Sequence, residues 1–340
     1  MFDLIIIGSI IRDIIFKTND SKVPSRGCEG IEHQSLICFR YGAKIDPDEA
    51  FFTFGGGGNN TAISFTRLGI KAVLLSKIGK DGTGELIVER LKKEKVDTKL
   101  VKIDKKLHTA LSFIIVGKYG ERTIFPYAGA SGNINLSPTD IKKLSKTRWI
   151  YLTTLRNRSQ KILPKINSLI KKNKIKLAFN PGSTELEKGF NYLKNTLKNT
   201  EVLILNKEEA IQLISCCEKL RDDKPHSLLL SLKKYGSKII VITDGENGAW
   251  ASKDNSIFYI PAYKNKVVEK TGAGDAFGSG FVAGLIRFNS VKKALELGNI
   301  NATSAISKFG SCEGLLTFSH AQKLLRKYPK VKIKEQKIKG

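Results

Sequence analysis

The chain has 340 residues, 41% hydrophobic and 26% charged, which suits one large α/β domain or two ordinary ones with a sizeable core. The formal net charge of +26 would favour polyanions, but only 12 of the 58 basic residues are arginine and few stand beside aromatic rings, so the charge reads as lysine spread over solvated faces rather than as a nucleic-acid surface. The five cysteines make neither a CxxC pair nor an even disulfide framework, the four histidines are scattered, and the apolar start is interrupted by Gly8, Arg12 and Asp13. The expectation is a protein of the reducing cytoplasm with no membrane span and no His-rich metal site.

In chain order, short β-branched runs recur as DLIIIG from Asp3, KAVLLSKI from Lys71, RWIYLT from Arg148, IKLAFN from Ile175, EVLILN from Glu201 and KIIVIT from Lys238. Helical patterns separate them at Asn59–Leu68, Gly84–Lys93, Pro138–Ser145, Ser159–Lys171, Lys207–Ile214 and Ser227–Lys234, with Ser137 and Pro138 supplying an N-cap and a first-turn proline. Strands that are continuously apolar rather than alternating, with helices between them, predict a doubly wound α/β fold. Its sheet is mostly parallel and covered by helices on both faces.

Two stretches break this rhythm. Residues of about 14–52 are long and rich in turn formers, and HTALSFIIVGKYGERTIFPYAGA, within about 108–128, reads as two strands joined at Tyr119 and Gly120. Together they are expected to form a small β-sheet over the main one, either a lid or a plain surface excursion. The end, KVKIKEQKIKG, alternates like an edge strand but is so basic that residues 323–340 read as a solvated tail after a domain of 1–322.

In an open parallel sheet, ligands collect beyond the carboxyl ends of the strands. Gly8 and then Asp13 follow the first strand; FFTFGGGGNNTA places Gly55, Gly56, Gly57 and Gly58 before Asn59 and Asn60 at a helix start; EVLILN ends at Asn206 before Glu208 and Glu209; KIIVIT ends at Thr243 before DGENG. The strand-like KNKVVE then leads to TGAGDAFGSGF, where Gly272, Ala273 and Gly274 leave the backbone bare at a helix N-terminus, a natural anion site, with Asp275 in the first turn. Taken singly, the four glycines read equally as a flexible loop, whereas a mere capping role for Asp275 is disfavoured by the three small residues beside it. A P-loop is excluded by the lack of GxxxxGK[ST], the dinucleotide fingerprint fails at Asn60, and protein-kinase signatures are absent.

The conjunction of these motifs resembles the ribokinase-like (PfkB) family of sugar and nucleoside kinases over roughly Asp3 to Thr317. GGGGNNTAISFTRLG is similar to its first signature and TGAGDAFGSGF to its second; KIGKDGTGE, GERTIF, FNPG, NKEE and TDGENG match landmarks between them. The resemblance implies that Asp275 is the catalytic base and that Gly272, Ala273 and Gly274 form the anion hole for the transferring phosphoryl group. It further implies that Asn206 and Glu209 serve the magnesium and phosphate region, Glu209 on the metal side, and that Thr243, Gly245 and Gly248 touch nucleotide phosphates. Asn301 is a candidate for the adenine pocket, and Asp13, Gly56, Gly57 and Asn60 for substrate hydroxyls.

Three departures stand out. Ile11 replaces the family's frequent Asn two residues before Asp13, Glu269 and Lys270 replace the usual Asp-Thr before TGAGD, and the segment 14–52 is long. The Glu269 change bears on a monovalent-cation site, leaving K⁺ activation an open question. The expected function is an ATP- and Mg²⁺-dependent kinase acting on a hydroxyl of a sugar; the alternative within the fold is a nucleoside kinase, kept open by Phe39, Tyr41 and Phe54. A non-catalytic polyanion-binding protein is the alternative from another class, and a homodimer is left open, as is whether the lid closes on its own subunit or pairs with another.

Overall fold

A computed structural model describes residues 2–19, 38–118, 122–328 and 331–338. Among these the strands are β1 (Leu4–Ile7), β2 (Ile11–Lys17), β3 (Glu49–Gly55), β4 (Ala72–Gly79), β5 (Asp97–Asp104), β6 (Ala110–Val116), β7 (Arg122–Tyr127), β8 (Trp149–Leu152), β9 (Lys176–Phe179), β10 (Val202–Asn206), β11 (Ile239–Thr243), β12 (Ala249–Lys253), β13 (Ser256–Ile260) and β14 (Lys334–Lys337). The helices are α1 (Gly57–Arg67), α2 (Gly82–Lys93), α3 (Pro138–Leu144), α4 (Leu163–Asn173), α5 (Ser183–Leu186), α6 (Gly189–Lys198), α7 (Lys207–Ser215), α8 (Pro225–Lys233), α9 (Ala273–Phe288), α10 (Val291–Ala305) and α11 (Phe318–Lys327).

The apolar runs do become central strands, because a strand covered on both faces must be apolar at every position. In β1, Leu4 and Ile6 face one core with Phe65, Phe277 and Phe281, while Ile5 and Ile7 face the other with Ile166, Leu197 and Leu213. The main sheet has ten strands in the order β14-β13-β12-β11-β10-β9-β8-β1-β4-β5. From β5 to β11 neighbours are parallel; β12, β13 and β14 extend the edge in antiparallel fashion.

A second sheet, β3-β2-β6-β7, is the small lid sheet foreseen from the irregular stretches. Asp13 therefore sits within a lid strand, opposite Thr53 on β3 and Ser112 on β6, rather than in a loop after β1. Much of the 14–52 stretch and the junction at Tyr119 and Gly120 lie outside the described residues.

Several sequence expectations need correction. The tail is not simply solvated: 323–327 belong to α11, and β14 pairs with β13 through Ser256↔Lys337 and Tyr259↔Lys334. The pairing is possible because all four β14 side chains stay exposed, so the backbone joins the sheet while the charges remain in water. KNKVVE forms no strand; Val267 and Val268 are 49% exposed, and the N–H groups of Val268 and Glu269 both donate to the Ile306 carbonyl. The helix expected from Ser159 splits into a 3₁₀ turn over Asn157–Ile162 and α4, whose first turn holds Pro164 and so needs no N–H there. The Ser137 cap forms as read, with Asp140 closing a capping box. Among the described residues no helix is long and apolar enough to cross a membrane.

Candidate active site

Strand order reverses between β1 and β8: the chain runs from β1 outward to β4 and β5, and from β8 the opposite way to β11. Connections leave such a point toward opposite faces and open a crevice at the strands' carboxyl ends. Gly8 directly follows one of these strands, Thr153 the other, and α1 begins against both. A methyl on Gly8 would lie 2.2 Å from Thr153 Oγ1 and 2.9 Å from Gly58 Cα, so only bare backbone allows the three segments to meet. Gly56 caps α1 at φ 90°, in the region open to glycine, with its hydrogen facing the Ser9 carbonyl.

The first turn of α9 enters the same crevice. A methyl on Gly57 would lie 2.8 Å from Thr153 Oγ1 and 3.3 Å from Asp275 Oδ1, and Asp275 Oδ2 accepts a hydrogen bond from Asn60 Nδ2 at 2.8 Å. Burial raises the Asp275 pKa and the Asn60 bond lowers it. Residues far apart in sequence, Asn60 and Asp275, are thus direct partners.

On one side of Asp275 lies a cleft of about 190 Å³ lined by Gly272, Gly274, Asp275, Asn180, Asn206, Glu209 and Thr243, together with Ile204 and Leu205. Gly272 turns into α9 in the left-handed region at φ 81°, and Gly274 has open space where a side chain would stand. Ala273 stands between them, and its N–H donates to the Lys270 carbonyl at 3.2 Å.

Asn206 and Glu209 form a reciprocal cap at the start of α7. Asn206 Oδ1 accepts from the Glu209 N–H at 2.8 Å, and Glu209 Oε2 accepts from the Asn206 N–H at 2.9 Å. Burial pushes Glu209 up to about 7; the Asn206 N–H opposes this, and the negative charges of Asp275, Glu208 and Glu185 add to it. Among the described residues no group of three or more His, Cys, Asp or Glu converges on a metal. The oxygen-rich lining of Glu209, Asn206, Asn180 and Asp275 nevertheless suits Mg²⁺, which typically takes one or two protein carboxylates plus substrate phosphates, and a cation would relieve the charge crowding at Glu209.

On the other side is Asp13. A methyl on Gly55 would lie 2.2 Å from its Oδ2, so Asp13 rests on the same glycine turn that touches Asp275 two residues later, within about 7 Å of chain. Burial pushes Asp13 up to about 6; the Ser112 hydroxyl and Arg12 pull it down, and Glu269 pushes it further up. Glu269 accepts from Thr271 Oγ1 at 2.6 Å, and Arg122 of the lid donates to that hydroxyl at 3.3 Å.

The remaining candidates divide. Thr243 lines the cleft; Gly245 and Gly248 shape the 3₁₀ turn just beyond it, outside the lining. Lys270 is exposed. Asn301 is wrongly read as an adenine contact: it is fully buried, its Nδ2 donates to Ser64 Oγ and the Ala276 carbonyl, and its Oδ1 accepts from the Leu316 N–H, so it ties α1, α9 and the segment before α11 together. Sequence reasoning missed Asn180, although FNPG marks its position, and it missed Thr153, Ser311 and Cys312, for which no local pattern exists.

The profile of the pfkB family of carbohydrate kinases matches residues 1–317. Ribokinase from Staphylococcus aureus is 27% identical over 299 residues, 86% of this chain and 95% of that protein. Arabidopsis thaliana ribokinase, solved with ribose and ATP, superposes with a TM-score of 0.81 at 19% identity over 96% of this chain and 99% of that one. A nucleoside kinase from Methanocaldococcus jannaschii superposes at 0.76 with 20% identity and the same coverage. A match over nearly the whole chain, on a fold shared from end to end, makes this protein a member of the pfkB family of carbohydrate kinases, phosphotransferases with an alcohol group as acceptor.

Proposed function

We propose that the protein transfers the γ-phosphate of ATP to a hydroxyl of a small sugar, with Asp275 as the base. The observation that carries this reading is the position of Asp275 at the strand-order reversal, between the Asn206–Glu209–Thr243 cleft and the glycine turn that holds Asp13. Asp275 takes the proton of the acceptor hydroxyl as its oxygen bonds to the γ-phosphorus; the bond from that phosphorus to the β-bridging oxygen breaks, and ADP leaves with that electron pair. Gly272 and Gly274 let the phosphoryl group approach the backbone at the start of α9, where N–H groups have no helical partner and the dipole favours negative charge. Asp13, Gly56 and Gly57 are assigned to the acceptor, while Asn60, expected there from the sequence, is buried and assigned to holding Asp275; Thr243, with Gly245 and Gly248 in its turn, is assigned to the nucleotide phosphates. Mg²⁺ bound with ATP would be held by Glu209, aided by Asn206 and Asn180, and would neutralise phosphate charge. The solved Arabidopsis relative, which holds ribose and ATP, supports the same pair of ligands here.

A sugar is favoured over a nucleoside by the matched family, which is one of carbohydrate kinases, and Phe54, one of the aromatic residues that keep a nucleoside open, gives that alternative no support. Arg12 pairs with Phe54 across β2 and β3 while Asp13 pairs with Thr53, so Phe54 points away from the Asp13 face, and the Arg12 guanidinium sits 4.4 Å from its ring centroid. The test is ADP release across pentoses, hexoses, inositol and nucleosides. A sugar should be turned over, and Asp275→Asn should lower kcat by about 10² to 10⁴ with ATP affinity preserved. Near-normal turnover by that variant removes Asp275 from the base role, and turnover of nucleosides alone replaces the acceptor assignment.

A further inference from the structure

Three donors converge on one oxygen beside Asp275. Asn60, 4% exposed, accepts on Oδ1 from Ser311 Oγ at 2.9 Å, from Asn59 Nδ2 at 3.1 Å and from Cys312 Sγ at 3.2 Å, and it donates from Nδ2 to Asp275 Oδ2 at 2.8 Å. Ser311 and Cys312 belong to the turn after α10 and line a different, smaller cavity than the one beside Asp275. No motif assigns them a function.

A carboxamide oxygen has two lone pairs, so any two of these three donors fill it. Cys312 Sγ accepts from Asn59 Nδ2 at 3.5 Å, lies 3.8 Å from Ser311 Oγ and donates to Asn60 Oδ1 at 3.2 Å, the shortest of the three. Burial pushes this thiol up to about 12, so the proton is present throughout the working pH range. Ser311 Oγ has one proton and two acceptors, Asn60 Oδ1 and the Phe54 carbonyl at 3.0 Å, which links the end of β3 to the same network.

A flipped Asn60 would set its oxygen against the Asp275 carboxylate and its NH₂ against the NH₂ of Asn59. Both contacts are repulsive, and in a buried site they are not screened by water. Without the donors on Oδ1, only the Asp275 side would select the orientation.

We propose that Ser311 and Cys312 are positioning residues for phosphoryl transfer, which lock the N–H end of Asn60 onto Asp275 Oδ2 and so leave Oδ1 as the atom that takes the acceptor proton. This rests on the reading of Asp275 as the base. Oδ1 is the oxygen that faces Gly57 in the glycine turn.

The experiment is a double-mutant cycle combined with a measurement that needs no turnover. Ser311→Ala/Cys312→Ala should lower kcat by about 10- to 100-fold with both KM values within about twofold, because misplacing a reacting group costs rate rather than binding. Cys312→Ser, which keeps a donor, should recover most of the loss seen in Cys312→Ala. In an Asn60→Ala background the Ser311/Cys312 pair should change kcat by less than about twofold, since its route to Asp275 is gone. An equal loss in both backgrounds, or a Cys312→Ser as impaired as Cys312→Ala, overturns the proposal. Independently, the side-chain ¹⁵N–¹H₂ pair of Asn60, identified by its disappearance in Asn60→Ala, should shift in folded Ser311→Ala protein; an unmoved pair refutes the lock itself. A shifted pair beside a fully active Asp275→Asn variant would instead refute Asp275 as the base, which separates the two failures.

Discussion

Gly57→Ala tests whether the crevice at the strand reversal is as closely built as the distances say. The new methyl would stand 2.8 Å from Thr153 Oγ1, 2.9 Å from Thr153 Cβ and 3.3 Å from Asp275 Oδ1. Carbon atoms prefer about 3.5–4.0 Å, so the contact with Thr153 Cβ is short by nearly 1 Å. Thr153 directly follows β8, a central strand hydrogen-bonded on both sides to β1 and β9, and has little room to yield. Relief must come from α1 or from the Asp275 turn. Overpacking of this kind costs about 1–3 kcal/mol, only slightly offset by the better helix propensity of alanine. The unfolding free energy, followed in urea through Trp149 and Trp250, should fall by that amount, and kcat should fall about 10²-fold as Asp275 is displaced. Thr153→Ala in the same background should restore part of the stability, because it deletes one obstructing atom that is itself a buried hydroxyl without a partner. Wild-type stability and turnover in Gly57→Ala would refute the packing argument, and lost stability with unchanged kcat would separate this contact from the chemistry.

Burial holds Glu209 at about 7, above the 4.5 of a free glutamate, so between those values the folded protein keeps a proton that the unfolded chain has released. Its contribution is complete below pH 4.5 and is lost as pH rises through 7; the ligand-free protein should lose up to about 3 kcal/mol across that window, and Glu209→Gln should flatten the slope. An identical slope in the variant would contradict the assignment. Arg67 makes two bonds to Glu94, at 2.7 and 2.9 Å, and two more to the carbonyls of Cys312 and Leu315, both at 2.9 Å. Arg67→Ala should cost about 2–4 kcal/mol and lower kcat by loosening the Ser311–Cys312 turn, and Arg67→Lys should recover little, since an ammonium cannot span that fork; stability within about 0.5 kcal/mol of wild type would show that the turn is held by other contacts.

Much of the site was legible because it is written locally. Asn206 and Glu209 stand three apart and close a cap that any chain of that spacing can form, and Gly272 and Gly274 announce a bare helix start whatever surrounds them. Asn301 misled because polarity in a helix says nothing about what lies opposite: only the packing of α1, α9 and α10 shows that Ser64 and Ala276 take both of its N–H groups and that the Leu316 N–H occupies its oxygen. The basic end misled for a related reason, since its charge argued for water while its backbone had an unpaired edge of β13 to join.

From its sequence alone this protein had its class of sheet, most of its helices, its small lid sheet and the segments around Asp13, Gly57, Asn206 and Asp275, because apolar continuity, caps and bare glycines act over a few residues. Tertiary structure alone decided that Asn60 grips Asp275, that Ser311 and Cys312 hold Asn60, and that Asn180 lines the cleft beside Asp275. Those relations depend on side-chain directions between segments brought together by the strand-order reversal, and the spacing of residues along a chain carries no record of such distances.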